Sequence, residues 1–412
     1  MTTGPTTTPP TAPPTAPADR PAPPRLAHVD ALRGFALWGV LLVNITFMAS
    51  AHQGTGVTDP LHASAPDAAV RFVTAVFFEA KFYLLFSFLF GYGFTLQLAS
   101  ADRVGAAFRP RFLRRCAGLF VLGLCHAVLL FPGDILTTYA VLGLLLLAVH
   151  RIPPRTAVRT AVALLALTAA GYLLLAWALA ATGDGGTDTA AAAEQARLTT
   201  EALRGDARSV IGEHLRQLSD VVFVLAFFQA PAAFAAFLLG LAAGRRGALA
   251  DPARHGRFLR RLQWTGFSVG VAGGLVWAHA AQEDSGPYQL VAVAVDMVTA
   301  PLLAAAYAAT VLRTLAGPRG PRLAAALAPA GRMTLTNYLT QSLVLALVFT
   351  GFGAALVGRM APAHVAVTAL ALFAAQLVFS RWWLARHPYG PVEWALRAAT
   401  LARRPRWKAE AP

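Results

Sequence analysis

Several stretches of this chain run roughly 18–25 residues with almost no charge, long enough for a helix to cross a hydrocarbon core. Inside a bilayer each segment must satisfy its own backbone N–H and C=O groups, and at this length the α-helix does so. Composition agrees: 13% of the 412 residues are charged and 56% hydrophobic, where a soluble domain carries about 25% charged residues. The expected fold class is all-α, a polytopic integral membrane helical bundle.

About ten transmembrane helices are expected, over 30–50, 73–98, 116–131, 134–149, 160–181, 221–244, 263–281, 288–312, 333–358 and 363–384. The turns between them alternate in charge. Of the 35 Lys and Arg, 28 fall in segments that this alternation places on one side, six on the other, and Lys81 inside a span. That is the positive-inside asymmetry, so both termini are expected in the cytoplasm and the protein in the plasma membrane. The same distribution argues against nucleic acid as the partner of the +15 net charge and for the anionic surface of a lipid bilayer.

Residues 1–24, rich in Thr, Pro and Ala, read as a disordered cytoplasmic tail rather than a signal peptide. The transmembrane domain then covers 25–400 and a basic tail 401–412. Residues 183–219 form a polar extracytoplasmic segment whose Leu198, Ala202, Ile211, Leu215 and Leu218 suggest an amphipathic helix on the membrane. Cys116 and Cys125 lie about 13 Å apart on one helix and cannot bridge. No Cys/His spacing suggests a metal, and no internal repeat stands out.

Polar residues inside the spans fall into two layers. Asp30, Arg33 and Asn44 share a stripe about 80° wide on the first helix, with Asn44 about 16 Å above Arg33. Asp30 and Arg33, three apart, can pair. Arg332, Thr334, Asn337 and Gln341 lie at the depth of Arg33, the last three turned toward one neighbour. In the outer half lie Asn44, Glu79, Lys81, His126, Asp134, Gln229, His279 and Asp296. An ionisable group within a span costs at least ~2.5 kcal/mol unless paired or hydrated, so this layer implies a polar cavity reachable by water. Glu79 and Lys81 differ by about 200° around the helix and need partners elsewhere. Asp296 has no base near it in sequence and reads as a protonated, hydrogen-bonded acid. His126 and Asp134 flank a tight turn at Pro132-Gly133, where an aspartate can orient the imidazole as a general base or simply cap the next helix.

These residues carry a resemblance. Val29-Asp30-Ala31-Leu32-Arg33-Gly34, Leu42-Val43-Asn44 and the run Lys81 to Gly91 resemble the YeiB-like bacterial membrane proteins, the domain-of-unknown-function 418 family. So do Pro132-Gly133-Asp134-Ile135-Leu136, Gly331-Arg332-Met333-Thr334-Leu335-Thr336-Asn337-Tyr338 and Tyr389-Gly390-Pro391-Val392-Glu393-Trp394. The Leu-Arg-Gly opening also looks like that of transmembrane acyltransferases of the type 3 and heparan-glucosaminide acetyltransferase-like kinds. That likeness implies transfer of an acyl group from a cytosolic thioester, such as acyl-CoA, to an extracytoplasmic acceptor, with no resident cofactor. Where type 3 proteins carry a catalytic histidine eleven residues after the arginine, this chain has Asn44, and the heparan-type proteins also have Asn there. Neither His52 nor His62 stands at the offset of the heparan-type catalytic histidine.

On the acyl-transfer expectation His126, Asp134 and Asn44 are the catalytic candidates, with Asp30, Arg33, Glu79, Lys81, Asp296, Arg332 and Asn337 around the substrates. The alternative is a transporter or flippase of a small or lipid-linked molecule, in which Glu79, Lys81 and Asp296 bind substrate or couple protons.

Overall fold

The computed structural model describes residues 26–408 apart from 56, 58, 104, 183–187 and 284. The tail expected over 1–24 and the last four residues of the basic tail lie outside the described residues. Among the described residues the regular structure is helical throughout. In chain order the α-helices are α1 (Ala27–Ala49), α2 (Ala65–Phe77), α3 (Lys81–Arg103), α4 (Phe108–Leu129) and α5 (Leu136–Val149). There follow α6 (Pro154–Thr182), α7 (Thr189–Arg204), α8 (Ala207–Val224), α9 (Ala230–Arg245) and α10 (Gly256–Ala280). The last five are α11 (Gly286–Leu315), α12 (Gly320–Arg332), α13 (Thr334–Phe349), α14 (Pro362–Leu384) and α15 (Pro391–Leu401).

Seven segments of the described chain are long and apolar enough to cross a membrane: α1, α2 with α3, α4, α6, α8 with α9, α11 and α14. Helices α5 and α13 are apolar but only 14 and 16 residues long, shorter than the spans expected at those places. The protein is thus an all-helical membrane protein.

Helix α1 sits at the centre. Its Leu37, Leu41 and Ile45 enter one core with α4, α5, α9, α13 and α14, while Val29, Leu32 and Ala36 enter another with α3, α6 and α11. It crosses α12 at near-backbone distance. A Cβ on Gly34 would run into the Leu327 carbonyl oxygen, and one on Gly331 into the Asp30 carbonyl. Without a hydrophobic drive between helices in lipid, such close approach at small residues is what holds a crossing together. The short helix α12 makes this crossing, and α13 after it packs on α1 as well.

Two spans depart from regular α-helix, one by a break and one by a π-turn. Residues 73–98 read as one helix, but the chain breaks at 78–80, with Ala80 in the left-handed region (φ +63°). Holding a non-glycine residue there costs about 1–2 kcal/mol. Between α8 and α9 the helix widens into a π-turn over Leu225–Gln229, just ahead of Pro231 at the start of α9. Broken helices at membrane depth persist where they line a cavity or pack on protein.

The segment expected as one amphipathic helix on the membrane is a hairpin of α7 and α8, turned at Gly205. Asp188 and Asp206 cap the two helices by accepting from the Ala191 and Ser209 N–H groups at 3.0 and 2.8 Å. Of its apolar stripe Leu198 and Leu215 are exposed, while Ala202, Ile211 and Leu218 are half-buried. The hairpin is docked on the loop after α13: Gly351 N–H donates to the Leu203 carbonyl (2.8 Å) and Arg204 Nε to the Val357 carbonyl (2.9 Å).

Candidate functional site

Helix α1, the breaks and the hairpin surround one cavity of about 1870 Å³. It follows α1 from Leu26, Asp30 and Arg33 at one end to Asn44, Phe47 and Ser50 at the other. At 1.5 Å per residue that is a path of roughly 36 Å, enough to cross a hydrocarbon core of about 30 Å. Members of both polar layers expected from the sequence, Asp30, Arg33, Arg332 and Thr334 of one and Asn44, Glu79, Gln229 and Asp296 of the other, therefore open into the same space.

The end near Arg33 is basic. Arg33, Arg103, Arg111, Arg115, Arg332 and Arg397 line it, against Asp30 and Glu393. Asp30 Oδ1 accepts from Arg33 Nη1 at 3.0 Å, the pairing that the spacing suggested. Arg332 donates to the Pro388 carbonyl at 3.3 Å. Arg103, Arg111, Arg115 and Arg397 were not singled out from the sequence, where they look like ordinary positive-inside charge. Glu393 closes this end. Its carboxylate accepts from the Leu335 and Thr336 N–H groups (2.6 and 3.0 Å) and the Thr336 hydroxyl (2.5 Å), so it caps α13 from α15. Burial pushes its carboxyl above the usual carboxylate range, opposed by those hydrogen bonds. The role of Glu393 in the tail motif was not legible in the sequence.

The middle of the cavity is apolar, walled by Phe86, Leu89, Phe90 and Leu136. At the far end stand Asn44, Glu79 and Asp296, and the hairpin contributes Gln195, Thr199, Arg216, Gln217 and Asp220. The polar face of α7 and α8 thus roofs the cavity. Glu213 binds it together, accepting from Arg216 Nε (2.8 Å), Gln217 Nε2 (2.6 Å) and the Thr199 hydroxyl (2.9 Å).

At the α2–α3 break each charged residue finds a distant partner. Lys81, fully buried, donates from Nζ to Asp296 Oδ1 at 2.9 Å and to the Ala75 carbonyl at 3.3 Å. Asp296 therefore has a base, on α3, contrary to the expectation of an isolated acid. Glu79 accepts from Gln53 Nε2 (3.0 Å) and from Trp277 Nε1 (2.8 Å). Both carboxylates line the cavity; Lys81 stands behind Asp296 and does not.

His126 and Asp134 do meet. Nδ1 lies 3.0 Å from Asp134 Oδ1, both side chains about 1% exposed, and Asp134 Oδ2 accepts from the Thr137 N–H at 2.8 Å. Oδ2 thus caps α5, while Oδ1 sits beside the imidazole without completing a hydrogen bond to Nδ1. His126 Nε2 has no hydrogen-bond partner among the described residues. The pair does not line the cavity as expected; the Tyr338 ring, 5.0 Å from the imidazole and tilted by 38°, stands against it and faces the cavity itself.

The remaining candidates are dispersed. Asn337 and Gln341 point away from the cavity into α14, where Asn337 Nδ2 donates to the Ser380 hydroxyl (2.9 Å) and Gln341 Nε2 to Gln376 Oε1 (2.8 Å). Thr334 does not join them; it lines the cavity. His279 is exposed beside Tyr288 and takes no part. His52 and His62 flank Asp59, at 3.9 and 3.2 Å, outside the cavity wall. Among the described residues no His, Cys, Asp and Glu cluster has the arrangement of a metal site.

Comparison with known proteins places the chain in a family. The chain is 30% identical over 391 residues to the uncharacterized protein YxaH of Bacillus subtilis (strain 168), covering 91% of this chain and 94% of that protein. The family model for DUF418, a protein of unknown function, matches residues 243–403. The chain belongs to the DUF418 family. It is also 31% identical to an uncharacterized 39.9 kDa protein of Bacillus acidopullulyticus, over 92% of this chain and 95% of that one. To the uncharacterized protein YeiB of Escherichia coli (strain K12) it is 28% identical, over 90% and 95%. No solved structure matches. The DUF418 match holds Asp296, Arg332 and Glu393, whereas Arg33, Asn44, Glu79 and the His126–Asp134 pair precede it. The cavity of this DUF418 protein is assembled from both parts of the chain.

Proposed function

We propose that this DUF418 protein is an acyltransferase-like membrane protein, moving an acyl group from a cytosolic thioester such as acyl-CoA to an extracytoplasmic acceptor. The observation that supports it is the cavity that runs from the arginine layer to Asn44. Phosphates of the donor sit on Arg33, Arg111 and Arg115, since guanidinium forks match phosphate oxygens. The pantetheine arm follows the apolar middle, and the Asn44 amide donates to the carbonyl oxygen as charge gathers on it. The acceptor's nucleophile bonds to the carbonyl carbon while the C–S bond breaks. Its proton passes to His126 Nε2 and then to the leaving thiolate, once the Tyr338 ring swings aside.

Donor binding tests the basic end. Arg33→Gln and Arg115→Gln should each weaken acyl-CoA binding by about tenfold or more, read by equilibrium binding to protein in nanodiscs, because a hydrogen bond to a charged group contributes roughly 1.5–3 kcal/mol. Undiminished affinity in both would remove the arginines from the donor site.

The orientation that goes with this reading has ten spans in the plasma membrane, both ends cytoplasmic, the transmembrane domain over 25–400 and the α7–α8 hairpin outside. Arg208, exposed at the start of α8, offers a probe. An Arg208→Cys variant should be labelled from outside intact cells by an impermeant maleimide; labelling only after lysis would reverse the orientation.

A transporter or flippase is the second reading, favoured by the α2–α3 break and the π-turn between α8 and α9. Glu79 stands at the break and Gln229 at the end of the π-turn, both on the cavity, and irregular helices at cavity depth are a recurring way to build a transport site. There the small or lipid-linked substrate would occupy the same space without covalent change.

A further inference from the structure

The charges on the cavity wall are unevenly shared between its ends, and one of them makes no ion pair among the described residues. Glu79 lies in the wall at the α2–α3 break. Each of its oxygens accepts one N–H, Oε1 from Gln53 and Oε2 from Trp277. Both donors are neutral, and two accepted hydrogen bonds suit a carboxylate rather than a carboxylic acid, whose O–H would need an acceptor. Lys81 and Arg216, on this side of the cavity, are engaged with other acids. Lys81 holds Asp296 and the Ala75 carbonyl, and Arg216 holds Glu213. Among the described residues no Lys, Arg or His forms an ion pair with Glu79. Asp220, on the roof, adds a second negative charge to this end.

We infer that the far end of the cavity binds a ligand carrying a protonated amine, with Glu79 as its counter-charge. An unpaired carboxylate at membrane depth is costly, and a cation from the ligand removes that cost when it binds. The surroundings suit a cation in a second way. Phe78 and Phe82, stacked with centroids 5.5 Å apart, line the cavity, as does the Trp277 ring, and aromatic faces attract ammonium groups. Arginines at the other end would repel the same group. A ligand with an amine at one end and phosphate or acyl chemistry at the other is thereby oriented by the field along the cavity.

This deepens the proposed function, resting on the cavity as the substrate's site, and it favours an amine over a hydroxyl as the acceptor's marker. The test needs no turnover. Hexylamine and hexanol share a chain and differ in charge, and binding of each to the full chain in nanodiscs is followed by the shift in melting temperature. Hexylamine should bind at least about tenfold more tightly than hexanol, and Glu79→Gln should bring the two within about twofold. Equal binding of both by the unmodified protein would overturn the inference, as would a Glu79→Gln protein that keeps the full preference for the amine. Should the variant not fold, the comparison on the unmodified protein decides. Amine binding without any consumption of acyl-CoA would leave the inference standing and count against acyl transfer.

Discussion

Lys81→Met should lower the stability of the folded protein by about 3–5 kcal/mol, whereas the double change Lys81→Met with Asp296→Leu should recover most of that loss. The single variant leaves the Asp296 carboxylate in the bundle without its ammonium, 2.9 Å away in the native protein. The double variant removes both charges and keeps apolar volume between α3 and α11. Thermal unfolding and the yield of monodisperse protein in detergent measure the difference. If the single variant melts like the unmodified protein, the ion pair carries no stability. If the double variant stays as unstable as the single, the decisive contact is the one from Lys81 to the Ala75 carbonyl, which ties the end of α2 to the start of α3 across the break.

That pair also marks where the sequence stops being informative. Apolar runs set the spans, because the bilayer allows such runs few other structures. Depth along each run put Glu79, Lys81 and Asp296 at one level. It could not say which helix faces which, and Lys81 and Asp296 are 215 residues apart. The break itself had no local signal: Phe78, Glu79 and Ala80 include neither glycine nor proline, and Ala80 takes a conformation that alanine rarely adopts. The hairpin was half legible. Its apolar stripe was found, yet its polar residues looked like solvated charge until the fold turned them onto the cavity. The arginines of the basic end failed for the opposite reason, since topology alone explains positive loops.

Asp134→Asn and His126→Ala should each cut turnover by about 10²–10⁴-fold while leaving the protein folded, if His126 serves as the base. The geometry makes the asparagine variant the sharper of the two. Asp134 Oδ2 accepts from the Thr137 N–H and Oδ1 faces His126 Nδ1. Asparagine can keep its oxygen on Thr137 and so preserve the start of α5, because Asn caps about as well as Asp. Its NH₂ group then faces Nδ1, which must become the acceptor, and the proton moves to Nε2. A nitrogen that needs a free lone pair to take a proton from the acceptor has lost it. A structural role for Asp134 predicts the reverse: unchanged melting and unchanged turnover with asparagine, damage only with alanine. Melting temperature and thioester consumption, measured on the same preparations, separate these outcomes. Full activity in both Asp134→Asn and His126→Ala would sink the dyad and shift the chemistry to the cavity wall, where Glu79 and Asp296 fit transport better than acyl transfer.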